Sequence, residues 1–420
     1  MSVNAMQFEQ AAGLMNGILS DATGAGGTQI TNLGEYVTVG TTLLQMAKDP
    51  ILRALNQMFQ RTVIGVRPYD EILTGMEVNN ESYGSIVRKL NWLDKKVDTD
   101  HAFPLDPVLT ADPADIKDGV SVDMYVQNKD AVVQTNFYGA NVFSDWRTIY
   151  DDQLRSAFTS PAGMAEFWAG SAMVMNNKLK QVRENQKRVA LNNLIGGRIA
   201  QAAANQNTEC VIDVLAAYKA ATGNATITAA NWQSAAEIKD FVPWLYGFLN
   251  TLLGYMRNRS MLYHTQLSLD NVAGRGIDQN KVLGLMRQTA PRDARVYLLS
   301  EVANQIDAQV MPSTYHNDLL RFTDYERIDF WQSITDPGSL TVTPTYLNAS
   351  GGLETAEEAV EEEHVIGVIF DRDAAGISVF DEGTYSTPYN ARGRYYNQWY
   401  HETVRFWNDF TENSVVLVMR

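Results

Sequence analysis

Across 420 residues there is a single cysteine, Cys210. One thiol can neither close an intramolecular disulfide framework nor build a cysteine zinc site. Positive charge is scarce: 34 Lys and Arg stand against 49 Asp and Glu, a net charge of −15. Tight binding of DNA would need a local basic patch against that overall sign. Long hydrophobic runs are missing too. The most apolar window, Phe241 to Met256, is interrupted by Pro243, Gly247, Asn250 and Gly254, and it falls short of the ~20 residues that span a bilayer. No membrane association is expected. Met1 to Gln10 carries no basic or apolar stretch, so no secretory leader is expected either.

Catalytic signatures are equally sparse. The five histidines, His101, His264, His316, His364 and His401, include no pair at metal-ligand spacing. His401-Glu402 lacks the second histidine of a zinc-protease helix. There is no Gly-x-Ser-x-Gly elbow, and Gly274-Arg275-Gly276 stops after two glycines of a dinucleotide fingerprint. Asp371-Arg372-Asp373 offers two carboxylates to a divalent metal, but the flanking Phe370 and Ala374-Ala375-Gly376 favour a turn between two strands. No metal, no cofactor and no enzymatic activity are expected.

What is present is a globular composition, 45% hydrophobic and 20% charged, with length for two or three structural units. Residues 1–35 surround Gly24-Ala25-Gly26-Gly27 and read as an arm, because glycine loses the most backbone entropy on ordering. Apolar spacing from Leu43 to Gln60 predicts an amphipathic helix divided at Pro50. Short β-type runs follow at Val63–Arg67 and Tyr83–Arg88. Residues 91–119 are rich in Asp and Pro, and Val120–Val126 and Ala131–Val142 are strand-like. Together 61–142 reads as a long β excursion with a polar tip.

Ser160-Pro161 opens the strongest local signal, a cap followed by a residue suited to the first helical turn. Met164, Trp168, Met175, Leu179, Val182 and Val189 form an apolar stripe. Lys178, Lys180, Arg183, Lys187 and Arg188 load another face, with Glu184 four residues before Arg188. One long helix is predicted over 161–195, with continuation past a break at Gly196-Gly197 left open. Beyond it, helices are expected at Val211–Ala221, Val242–Arg257 and Glu301–Ala308, and strands at Arg295–Leu299 and Tyr325–Phe330. The glutamates at 354, 357, 358, 361, 362 and 363 predict a solvated hinge or exposed helix, followed by core strands at Val365–Phe370, Ile377–Phe380 and Val415–Met419.

The tail is the most aromatic part: Tyr389, Tyr395, Tyr396, Trp399, Tyr400, Phe406, Trp407 and Phe410 are eight aromatics in 22 residues, where the chain average of 10% gives about two. With Arg392, Arg394 and Arg405 among them, the run suits a stacking platform for sugars or bases. It equally suits a subunit interface, where aromatics and arginine concentrate. Residues 396–407 alternate aromatics onto both sides of a strand, a pattern that predicts burial on two sides and favours the interface.

The order of arm, β excursion, long helix, compact α+β lobe and β-rich return resembles the major capsid protein of tailed phages, whose HK97-like fold is shared by encapsulin shells. Asn390-Ala391-Arg392-Gly393-Arg394-Tyr395-Tyr396-Asn397-Gln398-Trp399-Tyr400-His401 resembles the C-terminal segment of major head proteins from small, short-tailed, protein-primed double-stranded DNA phages. Asp152 to Ser160, with Phe167 and the helix behind it, is similar to the run into their spine helix, and Tyr297 to Ile334 to their axial segment. The resemblance implies an α+β subunit divided into an N-terminal arm and helix (1–60), an extended β loop (61–142), a peripheral domain with the spine helix (143–205), an axial domain (206–340) and peripheral return strands (341–420).

It implies a structural protein that self-assembles as pentamers and hexamers into an icosahedral-type head. That head encloses double-stranded DNA without binding it tightly and is built in the host cytoplasm with a portal and, where assembly requires one, a scaffolding protein. Arg392, Arg394, Tyr395, Tyr396, Trp399, Tyr400, His401 and Trp407 are the candidate assembly contacts. Lys95 and Lys96 lie where some shells of this fold cross-link, but no matched acceptor is found and no cross-link is expected. An encapsulin-type nanocompartment and a carbohydrate-binding protein using the aromatic tail stay open as alternatives.

Overall fold

A computed structural model of the chain describes residues 12, 16, 71–77, 87–95, 125, 130–137, 141–153, 161–267, 282–314, 325–348 and 350–420. The expected arm, the Leu43–Gln60 helix, the Val63–Arg67 run, the polar tip after 95 and Val120–Val126 lie outside these residues, isolated positions aside. Three strands come first, β1 (Val87–Lys95), β2 (Ala131–Phe137) and β3 (Asn141–Tyr150), followed by α1 (Pro161–Ala203). Then come β4 (Val211–Asp213), α2 (Val214–Thr222), α3 (Ile238–Arg257), β5 (Val282–Gly284), β6 (Ala294–Leu299) and α4 (Ser300–Thr314). The remainder is β7 (Tyr325–Ile328), β8 (Leu340–Val342), β9 (Thr345–Leu347), β10 (Leu353–Thr355) and β11 (Val360–Glu362). It ends in β12 (Val365–Asp371), β13 (Ala375–Ser386), β14 (Tyr395–Asn408) and β15 (Ser414–Val418). Contacts group the chain into one unit of 1–83, 140–187 and 377–406, and another of 84–139, 188–376 and 407–420.

The second unit is built on a five-stranded sheet in the order β4-β15-β12-β6-β7. β12 runs antiparallel to β15 and β6, while β4 and β7 add parallel edges. Every residue of β12 and β15 is buried, as expected for strands covered on both faces. Leu215, Tyr218, Phe241, Leu245, Leu249, Val302 and Ile306 from α2, α3 and α4 join Val296, Leu298, Ile366 and Leu417 of the sheet in one core. α2 begins three residues later than the sequence predicts. Val211–Asp213 is drawn into the sheet beside β15, and Asp213 caps the helix by accepting from the Leu215 and Ala216 N–H groups.

α1 starts at Pro161 as expected and takes the continuation left open, running through Gly196-Gly197 to Ala203. The glycines do not end the helix; they let other chain approach it. A Cβ at Gly196 would lie 2.4 Å from Val342, and one at Gly197 2.5 Å from the Phe410 ring. One turn on, the fully buried Arg198 donates to Ser414 Oγ, Gln201 Oε1, Thr265 Oγ1 and the carbonyls of Phe410 and Glu412 at 2.7–3.1 Å. A buried guanidinium persists only when its donors are met in this way.

The acidic 354–363 stretch is neither hinge nor helix. β10 pairs with β9 and β11 with β8 as two short antiparallel ladders, which satisfy the backbone while Glu354, Glu357, Glu358, Glu361 and Glu363 stay exposed. Similarly, β1 extends to Lys95, into the stretch the sequence reads as an irregular Asp- and Pro-rich segment. Its inward Leu93 packs with Ala131, Leu267, Val282 and Leu285, and Lys89 pairs with Asp409 and Glu412.

In the first unit, β3, β14 and β13 form a sheet, with β14 and β3 in register from Tyr395↔Tyr150 to Val404↔Asn141. Residues 71–77 are held by charge as well as packing. Leu73 and Met76 are buried, the Leu73 N–H donates to Glu184, and Lys187 pairs with Glu71 and Glu77. The cationic face expected on α1 is therefore no solvated face at this point. Lys187 has no exposed side-chain surface, whereas Val189 of the expected apolar stripe is 59% exposed.

Candidate assembly interface

The aromatic tail lies on β14, and its period of two separates it into unlike faces. Tyr396, Gln398, Tyr400, Glu402 and Val404 point to the covered side and are buried. There Tyr400 packs with Met175 and Leu179 of α1 and with Phe143 of β3. Arg183 donates to Glu402 at 2.6 Å, and Lys178 pairs with Asp145 at 2.9 Å. The Arg183–Glu402 pair ties the helix to a buried carboxylate on the covered face of the sheet, whereas the Lys178–Asp145 pair is exposed and adds little.

The other face carries the rungs Tyr395/Tyr150, Trp399/Trp146, His401/Ser144 and Thr403/Val142. Trp146 and Trp399 stack at 5.5 Å with planes 15° apart, and Tyr150 and Tyr395 meet edge to face at 6.0 Å. The His401 ring lies 6.2 Å from Trp399, nearly parallel, and 5.5 Å from Tyr385. Such cross-strand aromatic pairs are the stabilising unit of a sheet, yet Trp146, Tyr150 and Tyr385 remain 50–59% exposed. Burial on two sides, expected from the alternation, is thus burial on one side within the chain.

A tight turn precedes the ladder. Asn390 Oδ1 accepts from the Gly393 N–H, and Asn390 O from the Arg394 N–H at 2.8 Å. Arg394 takes a left-handed φ of 53°. A Cβ on Gly393 would sit 2.3 Å from the Tyr395 ring, so glycine is what allows Tyr395 to fold back beside the turn. Arg394 pairs with Asp152 and, at 3.6 Å, with Asp151, and the Asp152 carboxylate pushes the guanidinium further up.

Of the expected contact residues, Tyr395, Trp399 and His401 share the open face and Arg392 and Arg394 sit in the exposed turn beside it. Tyr396 and Tyr400 belong to the covered face. Trp407 falls in the second unit, donating to the Asp373 carbonyl at 3.3 Å. Arg405, which the sequence offers to a nucleic-acid platform, is fully buried. Trp146 and Tyr150 were missed; the alternation of Val142, Ser144, Trp146, Thr148 and Tyr150 against Phe143 and Ile149 is the signal that finds them.

The chain's other chemistry is muted. Asp371-Arg372-Asp373 is the turn between β12 and β13. Among the described residues no group of three His, Cys, Asp or Glu is placed to hold a metal ion, and no helix is long and apolar enough to cross a membrane. Cys210 is a buried free thiol whose pKa is pushed up by burial, which keeps it protonated and unreactive.

Residues 108–418, roughly three quarters of the chain, match the model of the Phi29-like phage major capsid protein family. The chain belongs to that family. As a Phi29-like major capsid protein it is a structural subunit of a phage head, self-assembling into the virion shell, and its α+β architecture is the HK97-like one the sequence predicts. The encapsulin and carbohydrate-binding readings gain no support. No curated protein matches the sequence. Among solved structures, the capsid of Staphylococcus phage Andhra is similar at 10% identity and a TM-score of 0.49, over 85% of this chain and 86% of that one. The mature capsid of bacteriophage PhiM1 is similar at 10% identity and 0.41, over 84% and 89%. The capsid of cyanophage P-SCSP1u is similar at 11% identity and 0.41, over 84% and 90%. The family match, rather than these likenesses, carries the assignment.

Proposed function

We propose that this major capsid protein forms pentamers and hexamers of a closed icosahedral-type head that encloses double-stranded DNA, assembles in the host cytoplasm, and has no enzymatic activity. The family match over 108–418 is the observation that carries the reading. The division into arm (1–60), β loop (61–142), peripheral (143–205 and 341–420) and axial (206–340) domains is part of it. The open aromatic face, Tyr395, Trp399 and His401 with Trp146 and Tyr150, is taken as a surface that a neighbouring subunit covers, with Arg392 and Arg394 at its rim. A half-exposed double-tryptophan ladder supports this, because stacked aromatics on a monomer's surface leave apolar area in water that association removes. Single contacts of on the order of 4 kcal/mol, about millimolar, suffice when each subunit makes many at high effective concentration.

A portal and, where assembly needs it, a scaffolding protein complete the head. The net charge of −15 supports a wall that encloses the genome without gripping it. Electron microscopy and light scattering of the purified protein, alone and co-expressed with its portal and scaffold, test the reading: closed shells or capsomer rings are expected, and a monomer inert in both settings would overturn it. A salt-sensitive, submicromolar DNA affinity of the soluble subunit would contradict loose enclosure, and a ladder of covalent oligomers on a denaturing gel would show a cross-link where none is expected.

A further inference from the structure

The buried polar network around Arg198 continues past Thr265 to His264, which is fully buried. Its Nδ1 lies 3.2 Å from Asn413 Oδ1. Its Nε2 lies 2.9 Å from the Leu285 carbonyl and 2.8 Å from Gln266 Nε2. Further bonds fix both amides. Asn413 Nδ2 donates to Thr289 Oγ1 at 3.1 Å, which turns Oδ1 toward the ring. Gln266 Oε1 accepts from the Leu285 N–H at 3.0 Å, which turns Nε2 toward it. The ring's Nε2 therefore meets an acceptor and a donor at once.

A proton decides between them. With Nδ1–H donating to Asn413, a neutral ring accepts from Gln266 and leaves only the Leu285 carbonyl mismatched; the other tautomer mismatches both Asn413 and Gln266. An imidazolium donates to Asn413 and to Leu285, but sets its second N–H against that of Gln266. Burial first, then the cations Arg198 of α1 and Arg287 after β5, hold the ring neutral down to about pH 4. On the turn before Asn413, Asp409 is taken by Lys89, and Glu412 by Lys89 and Arg287. Gln266 is the partner that gives way, because it is partly exposed and can turn its amide to water. Leu285 and Asn413 are buried and cannot.

Gln266 matters for the strand beyond it. Its side chain meets both backbone groups of Leu285, donating to the carbonyl at 2.8 Å and accepting from the N–H, as a neighbouring strand would. Gly284, at a φ of 127°, makes room: a Cβ there would lie 2.8 Å from Gln266 Oε1. Leu285 directly follows β5, which pairs with the end of β1 at Asp94↔Gly284 and Lys95↔Val282. We propose that His264 is an acid-operated latch: on taking a proton it claims the Leu285 carbonyl, expels the Gln266 amide and loosens β5 from β1. The device is one buried ring with two hydrogen-bond arrangements, each excluding the other. It does not rest on the shell reading.

Amide hydrogen exchange of the full-length protein, corrected for the intrinsic effect of pH, tests the latch. Between pH 6.5 and 4, protection of residues 282–287 should fall by about tenfold or more while β12 and β15 stay protected. His264→Asn cannot titrate, so its 282–287 segment should show no such fall. Gln266→Glu supplies a variant that keeps the ring. Its carboxylate can accept from both the Leu285 N–H and the imidazolium, so the His264 titration followed by NMR should move up by about one pH unit or more. Wild-type protection of 282–287 that persists to pH 4 would overturn the latch. So would an equal fall in His264→Asn, or a Gln266→Glu midpoint that stays in place. Loss of β12 and β15 protection at the same pH would also overturn it, because acid would then unfold the whole unit at once. All of these readouts apply whether or not the protein assembles, so their failure leaves the shell reading untouched.

Discussion

The two main sheets obey the same geometry and end in opposite states. In the five-stranded sheet, β12 and β15 are buried at every position, with α2, α3 and α4 on one face and Arg198 of α1 bonded to the Ser414 hydroxyl of β15. In the β13-β14-β3 sheet alternate residues are buried along Tyr395–Val404 of β14, and the aromatic rungs face water. One sheet is completed by its own chain. The other has a finished inner face and an outer face rich in the side chains that interfaces use. On the proposed interface reading this is a division of labour, because folding must not wait for neighbours, while assembly needs surface that folding leaves open.

The contrast can be broken most severely at its buried end. Arg198→Ala removes five donated hydrogen bonds around a site with no exposure and leaves carbonyl and hydroxyl groups unpaired. We expect a loss of about 3–5 kcal/mol, read by denaturant unfolding. Ile369→Ala, in the middle of β12, should cost about 2–5 kcal/mol in the same measurement, because both faces of the strand are packed and the cavity cannot refill.

A pH titration comes next. His264, bonded to Asn413, Leu285 and Gln266, is held at about 4 against the ordinary 6.5, chiefly by burial. The unfolded chain takes the proton first as pH falls. This histidine therefore lowers stability progressively from pH 6.5 toward 4, by up to about 3 kcal/mol. Comparing wild type with His264→Asn across that range isolates the effect, since the variant should lack this part of the slope.

The open sheet should answer differently. Trp399→Ala deletes half of the stack with Trp146, itself worth about 0.5–1.5 kcal/mol, and should cost the isolated subunit less than the buried changes above while impairing assembly measured by light scattering. A large loss of subunit stability with normal assembly would reverse the comparison. Smallest of all, Arg394→Gly relieves a left-handed residue and forfeits an exposed pair with Asp152, two small effects of opposite sign. The melting temperature should therefore barely move.

Much of this contrast is visible in the residues themselves. The run Val365 to Phe370 reads as core because it is apolar without alternation, and the tail reads as a strand because its aromatics alternate. What the tail pattern could not say is which side is covered: Tyr396 and Tyr400 are as aromatic as Tyr395 and Trp399. That difference is set by α1, which lays Met175 and Leu179 on one side only. Trp146 and Tyr150 went unnoticed because a lone strand shows no partner, and they gain meaning from the register that sets them opposite Trp399 and Tyr395.

By itself the sequence determined the family, the start of the long helix at Pro161, the core strands and an acidic, cysteine-poor composition. Those depend on local pattern and residue chemistry, which a linear chain displays. Tertiary structure alone decided that α1 runs past Gly196-Gly197, that Lys187 and Arg405 are buried while Val189 is not, and that the acidic 354–363 stretch is paired strand. Each of these depends on what approaches from far along the chain. A glycine is a helix breaker until Phe410 needs its space, and a lysine is a surface residue until Glu71 and Glu77 arrive to pair with it.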